Sequence, residues 1–166
     1  MTSETQAHEA SSFSADGNQY LTFLLASETY GVDILRVQEI RGYTAATPIP
    51  NAPAWLRGVM NLRGTIVPVV DLRAKLGLTT GEYNRFTVII VVTIGTKMMG
   101  LIVDAVSDVL SFAAKDIQPA PELGSGAEAR FARGIAHVRD QLVVLLDLER
   151  VFSAAGVETP VLAAAH

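Results

Sequence analysis

The sequence predicts a mainly β protein: two barrel-like subdomains packed on a shared hydrophobic core, with only short helices. The first observation behind this is an internal repeat. Arg57-Gly58-Val59-Met60-Asn61-Leu62-Arg63-Gly64-Thr65-Ile66-Val67-Pro68-Val69-Val70-Asp71-Leu72-Arg73 returns as Arg133-Gly134-Ile135-Ala136-His137-Val138-Arg139-Asp140-Gln141-Leu142-Val143-Val144-Leu145-Leu146-Asp147-Leu148-Glu149, with no gap. Each copy reads as strand, turn, strand and an Asp-capped helix. The second observation is the run of short, very apolar strands in both halves. Curling such strands into barrels hides their edges. Apolar residues on both strand faces are explained if the two subdomains also pack against each other.

The elements follow in order. Tyr20, Thr22 and Leu24 alternate with Leu21, Phe23 and Leu25, which suits a strand covered on both faces. Residues 26–29 make a turn, and Tyr30-Gly31-Val32-Asp33 starts the return. Ile34, Val37 and Ile40 fall at helical spacing, yet Val and Ile also suit strands, so both readings stand for this stretch. Pro48, Pro50 and Pro53 force an irregular crossing. Residues 55–61 lead into a strand, Arg63-Gly64 is a hairpin tip and 65–70 returns. Pro68 cannot donate a ladder hydrogen bond, so it is expected at an edge or a bulge. Asp71 caps a helix over 72–76, and Gly77 ends it. The second half repeats the plan: a strand over 86–94, a turn at Gly95-Thr96-Lys97, a return over 98–104, a crossing at Pro119 and Pro121, a hairpin over 134–146, and a helix over 148–152 capped by Asp147. Gly31 and Gly100 mark the return strands. Residues 1–18, rich in Ser, Glu, Ala and Thr, read as a disordered arm. The tail over 154–166 reads as frayed helix or disorder.

Composition narrows the function. With 49% apolar residues the chain has ample material for a core. A formal net charge of −4 argues against general nucleic-acid binding, which wants a basic footprint. The absence of cysteine excludes disulfides and thiolate metal sites. The N-terminal stretch has no apolar core with a basic flank, so it is not a signal peptide. The longest apolar run, 88–92, is far short of the ~20 residues that span a bilayer. These features point to a soluble cytoplasmic protein.

No catalytic constellation is announced. His8 and His166 lie in the arms, and His137 in the second hairpin has no His, Cys or acidic cluster beside it in sequence. Ser107 and Ser111 lack a nucleophile elbow. Gly124-Ser125-Gly126 lacks the Lys-Ser/Thr of a phosphate loop. Gly58 and Gly134 read as backbone requirements at a bulge or close approach. Tyr20, Phe23, Trp55, Phe86 and Phe112 read as core. Glu39 and Arg63 stand out, but on the residues alone they read as ordinary surface charge.

Further motifs carry a family resemblance. Tyr30-Gly31-Val32-Asp33-Ile34-Leu35-Arg36-Val37-Gln38-Glu39-Ile40-Arg41-Gly42-Tyr43, then Gly58 to Gly64 with Pro68 and Asp71-Leu72-Arg73, resemble the bacterial chemotaxis adaptor family CheW. So do Val103-Asp104-Ala105-Val106-Ser107-Asp108-Val109-Leu110 and Ile117-Gln118-Pro119-Ala120-Pro121-Glu122-Leu123. The resemblance covers about residues 18–153 and implies two five-stranded barrels of SH3-like topology. With the residue reading it places the domain at 19–153, its subdomains near 31–83 and 86–150 with boundary strands exchanged. It also implies a non-enzymatic adaptor, without cofactor or metal. That adaptor would couple the cytoplasmic tips of transmembrane chemoreceptors (methyl-accepting chemotaxis proteins) to the regulatory domain of the histidine kinase CheA. It would sit in the cytoplasm at the receptor array, without entering the membrane, and self-associate within arrays. Carried over by motif, Val37, Glu39, Gly58 and Arg63 are linked to receptor or kinase coupling. Gln118, Glu122 and Leu123 match the ring-closing contact with the kinase, where the best-known members carry Arg for Gln118 and Phe for Leu123. Under the resemblance, Glu39 and Arg63 become parts of a docking patch.

Overall fold

A computed structural model describes residues 17–78, 81–119, 131–138 and 140–153. The arm before Gly17, the tail beyond Ser153, Pro121, Glu122, Leu123 and the 124–126 stretch lie outside the described residues. Eleven strands are described: β1 (Gly17–Leu25), β2 (Glu28–Asp33), β3 (Val37–Gly42), β4 (Leu56–Leu62), β5 (Thr65–Asp71), β6 (Val88–Ile94), β7 (Lys97–Val103), β8 (Ala105–Ala113), β9 (Ile117–Gln118), β10 (Ala132–Val138) and β11 (Gln141–Leu146). Helix α1 (Leu72–Lys75) and helix α2 (Leu148–Ser153) follow the two repeated hairpins. The arm and strand meet earlier than the sequence suggests, because β1 already contains Gly17 and Asn18.

The strands form two sheets, as the mainly β reading expects. One has five strands in the order β3-β6-β7-β5-β4, the other six in the order β8-β1-β2-β11-β10-β9. The sixth is the two-residue β9. Each sheet takes strands from both sides of residues 83–86. Strands β6 and β7 complete the sheet of β3–β5, and β1 and β2 complete the other. The reason is the pairing of the repeated hairpins. β5 runs parallel to β7, with Val69 opposite Gly100. β11 runs parallel to β2, with Leu145 opposite Gly31. A parallel partner cannot be the adjacent hairpin strand, so each repeat reaches across the sequence for its neighbour.

Strand alternation explains the doubly apolar strands. Ile89 and Val91 of β6 join Leu62, Val67, Val69 and Ile102 in a core inside the five-stranded sheet. Ile90 and Val92 point the other way. They meet Leu21, Phe23, Tyr30 and Val32 of the six-stranded sheet in one large shared core. A third core inside the six-stranded sheet holds Tyr20, Phe112, Ala136, Val143 and Leu145. The repeat register carries over: Val67 and Val69 occupy one inner core, and their counterparts Val143 and Leu145 the other. Val70 and Leu72, with Leu146 and Leu148, all enter the shared core.

Both helix caps form as expected. The Asp71 carboxylate accepts from the Ala74 N–H at 3.4 Å, and that of Asp147 from Glu149 and Arg150 at 3.1 and 3.3 Å. The stretch with two readings resolves into both. Residues Ile34–Arg36 form a 3₁₀ turn capped by Asp33, which accepts from Leu35 N–H, and β3 follows.

Two expectations are corrected. Pro68 sits neither at a sheet edge nor in a bulge, since β5 has neighbours on both sides. It is tolerated because the parallel ladder with β7 starts one residue later, at Val69. The bulge lies on the facing strand, between Leu56 and Gly58. Phe86 is not core: it is 58% exposed, with the Arg85 guanidinium over its ring. The strand starts only at Val88, so Phe86 lies in the turn before it.

Candidate functional site

The four residues expected to act together separate into two kinds. Glu39 and Arg63 meet directly: the Arg63 guanidinium donates to the Glu39 carboxylate at 2.7 Å. Arg63 sits at the tip of the β4–β5 hairpin with φ +50, followed by Gly64 with φ +89. This is the left-handed pair that a tight two-residue hairpin needs. Asn61 locks the tip by accepting from the Gly64 N–H at 2.8 Å. Arg41 adds a second cation on Glu39 at 3.3 Å. The Arg63 hydrogen bond is the largest cause holding the Glu39 carboxyl below its ordinary value, and Arg41 adds to it.

The sheet order gives this pair its geometry. Strand β3 is one end of the five-stranded sheet and the β4–β5 hairpin the other. The ion pair therefore joins the two ends. Glu39 pairs in register with Val91 and Arg41 with Ile89, both members of the inner core. The Arg63 side chain is 71% exposed and that of Glu39 26%, so the pair lies at the surface beside that core.

Val37 and Gly58 serve differently. A bulge between Val37 and Glu39 shifts the alternation, so Val37 packs against the shared core while Glu39 faces Arg63. Gly58 is buried with φ +146, and a Cβ there would lie 2.1 Å from the Thr47 carbonyl oxygen. That approach lets Thr47 exchange two 2.9 Å backbone hydrogen bonds with Val59 on the otherwise free edge of β4. Gly134, its repeat counterpart, does the same for β9. A Cβ there would lie 2.8 Å from the Gln118 carbonyl oxygen, and Gln118 pairs with Ile135. Both glycines are thus backbone requirements, at a bulge and at a close approach.

Gln118 is exposed on β9, at the rim of a shallow concavity of about 450 Å³ shared with Leu110, Phe112, Lys115 and His137. A second groove, of about 300 Å³, runs between the β6–β7 turn and α2 and is lined by Ile94, Met99 and Phe152. Among the described residues no three of His, Cys, Asp and Glu gather as a metal site. No helix among them is long and apolar enough to cross a membrane.

Comparison with known proteins settles the family. The model of the CheW-like domain matches residues 19–156. The chain belongs to the CheW family. Similar curated proteins are "Chemotaxis protein CheW" of Klebsiella aerogenes, 44% identical with 83% of each chain covered, and of Rhizobium meliloti, 43% identical over 82% of this chain and 88% of that one. Among solved structures, the scaffolding protein TtCheW from Thermoanaerobacter tengcongensis superposes with a TM-score of 0.75 at 35% identity, covering 81% of this chain and 87% of that one. These CheW relatives are chemotaxis and scaffolding proteins, and the adaptor reading of the chain follows from membership.

Several positioning residues escape the sequence reading. The Arg73 Nε donates to Asp104 at 2.9 Å, and the same carboxylate accepts from Ala26 N–H at 2.9 Å. Together they fasten α1 to the chain crossing between the sheets. Arg36 and Glu149 pair at 3.3 Å and fasten α2 to the 3₁₀ turn before Val37. Glu149 is the repeat counterpart of Arg73, so the same joint is built twice with the charges reversed. The repeat was the one signal that could have exposed it.

Proposed function

We propose that this protein is a non-enzymatic adaptor that couples the cytoplasmic tips of transmembrane chemoreceptors to the histidine kinase CheA, through the regulatory domain of the kinase. The observation that carries this reading is the Glu39–Arg63 pair. It is an exposed charge pair held in place by a rigid hairpin tip on one side and a paired strand on the other. Placed charge of this kind selects and orients a protein partner. The edge of Gln118 supplies the second contact to the kinase, and the motif match adds Glu122 and Leu123 to that contact. The two halves then work as the two ends of a link, and copies of the chain join kinase molecules into the array beneath the receptors. In this mechanism the adaptor changes kinase output because its contacts differ in energy between the kinase's active and inactive states.

The test is reconstitution of kinase, receptor cytoplasmic fragments and this protein. Kinase autophosphorylation is expected to rise, and to respond to receptor state, only when all three are present. Equal activity with and without this protein would overturn the reading.

A further inference from the structure

Lys75 is the last residue of α1, and it is buried, at 9% exposure. Its ammonium lies 4.9 Å from the ring centre of Trp55, 5.5 Å from Phe131 and 6.0 Å from Phe152. These distances are within the range of cation–π attraction. The rings come from both halves. Extending the internal repeat by its own spacing, Trp55 and Phe131 are counterparts, each leading into its repeated hairpin. Lys75 itself corresponds to Val151, a fully buried apolar residue. One half of the repeat thus places a charge where the other places a methyl-bearing side chain.

Each ring lies on a segment that connects, along the chain or through one pairing, to a candidate docking residue. Trp55 leads into β4, whose hairpin carries Arg63 at its tip. Phe131 leads into β10, where Ile135 pairs with Gln118. Phe152 lies on α2, whose Glu149 holds Arg36 just before Val37. A Leu or Met at position 75 could fill the volume, but an apolar contact is non-directional. A cation shared among three ring faces favours one arrangement of them.

We propose that Lys75 is a positioning residue that fixes the placement of the Arg63 end of the molecule relative to the Gln118 end, and so sets how well receptor and kinase engage together. This rests on the adaptor reading. The test is Lys75→Met, which keeps the stem and volume and removes the charge. Three quantities are measured: affinity for the receptor fragment alone, affinity for the kinase regulatory domain alone, and kinase activation in the ternary mixture. Emission of Trp55, the chain's one tryptophan, and a thermal melt report the fold. The expected result is a folded variant with both separate affinities within about two-fold of wild type and ternary activation reduced at least about five-fold, the low end of ordinary coupling strengths. Unchanged ternary activation overturns the proposal. So does a variant that loses its fold, or one that loses affinity for either partner alone, since Lys75 would then be structural or part of one contact face. Failure of the wild-type protein to activate the kinase would instead count against the adaptor reading itself.

Discussion

The carboxylate of Glu39 and the guanidinium of Arg63 lie 2.7 Å apart, although one belongs to the first strand of its sheet and the other to the hairpin at the opposite end. The contact is exposed, so its removal leaves the fold nearly untouched. Glu39→Ala and Arg63→Ala are each expected to keep the melting temperature within about 3 °C of wild type while lowering kinase activation at least ten-fold, a loss within the range seen when a positioned interfacial charge is truncated. The double variant should lose little more than either single one, because the two side chains act as a unit. Unfolding of either variant would assign the pair to stability instead.

The same contact has a pH signature. Arg63 and Arg41 hold the Glu39 carboxyl below its ordinary value of 4.5. The folded pKa is depressed, so the contribution is complete well above 4.5 and is lost as pH falls through the lower folded value. Urea midpoints of wild type and Glu39→Gln should therefore differ at neutral pH and converge in acid. A gap that widens on acidification would show the shift to have the opposite sign.

Gly58 is also expected to matter for coupling, but by another route. In Gly58→Ala the new Cβ would sit 2.1 Å from a backbone oxygen at a φ of +146, so the chain must move. A loss of more than about 2 kcal/mol is expected. In Gly134→Ala the nearest atom is the Ile117 Cγ2 methyl at 2.5 Å, with the Gln118 carbonyl at 2.8 Å. No left-handed backbone is involved, but the Gln118 backbone must shift along with the Ile117 side chain, so a smaller loss than at Gly58, about 1–2 kcal/mol, is expected. Denaturant unfolding of both variants checks the order. Gly58→Ala at wild-type stability would mean that the glycine acts at the surface.

The repeat made the two hairpins, the first tip and both capped helices legible, because each is fixed by residues close together in sequence: Arg63-Gly64, Asp71 and Asp147. The long-range choices were not. Nothing local in β5 says that Val69 will lie beside Gly100, so which strands exchange between the sheets is not legible in the sequence. The same holds for Pro68, since its tolerance depends on where a parallel ladder begins. At the site, Glu39 and Arg63 read in the sequence as separate charges. That they touch follows from a bulge at Gln38 and the curl of a whole sheet. Family resemblance, and no local rule, brought them together in the sequence reading.

Phe86 and Phe23 separate a turn aromatic from a core one. At 58% exposure, with the Arg85 guanidinium over its ring, Phe86→Ala should change stability by about 0.5 kcal/mol or less. Phe23, fully buried in the shared core, should cost about 3–5 kcal/mol when truncated to Ala. Similar losses for the two variants would return Phe86 to the core.

Tyr83 was not singled out by the sequence and supplies a final test. Its hydroxyl donates to the buried Asp71 carboxylate at 2.6 Å, and its ring packs 4.6 Å from that of Tyr43. Asp71 therefore does more than cap α1: it ties the helix start to the segment before β6. Tyr83→Phe keeps the ring but leaves that carboxylate oxygen without its donor, at a cost of about 1–2 kcal/mol. Burial, then the bond to Asp71, raises the Tyr83 pKa above its ordinary 10.0. The folded state thus keeps the proton after the unfolded chain has released it. Stability from this group is full below pH 10 and declines as pH rises beyond it. The gap between wild type and Tyr83→Phe should accordingly narrow in alkali, measured by urea unfolding on either side of pH 10. A gap that stays constant would mean that the hydroxyl bond contributes nothing to the pH dependence.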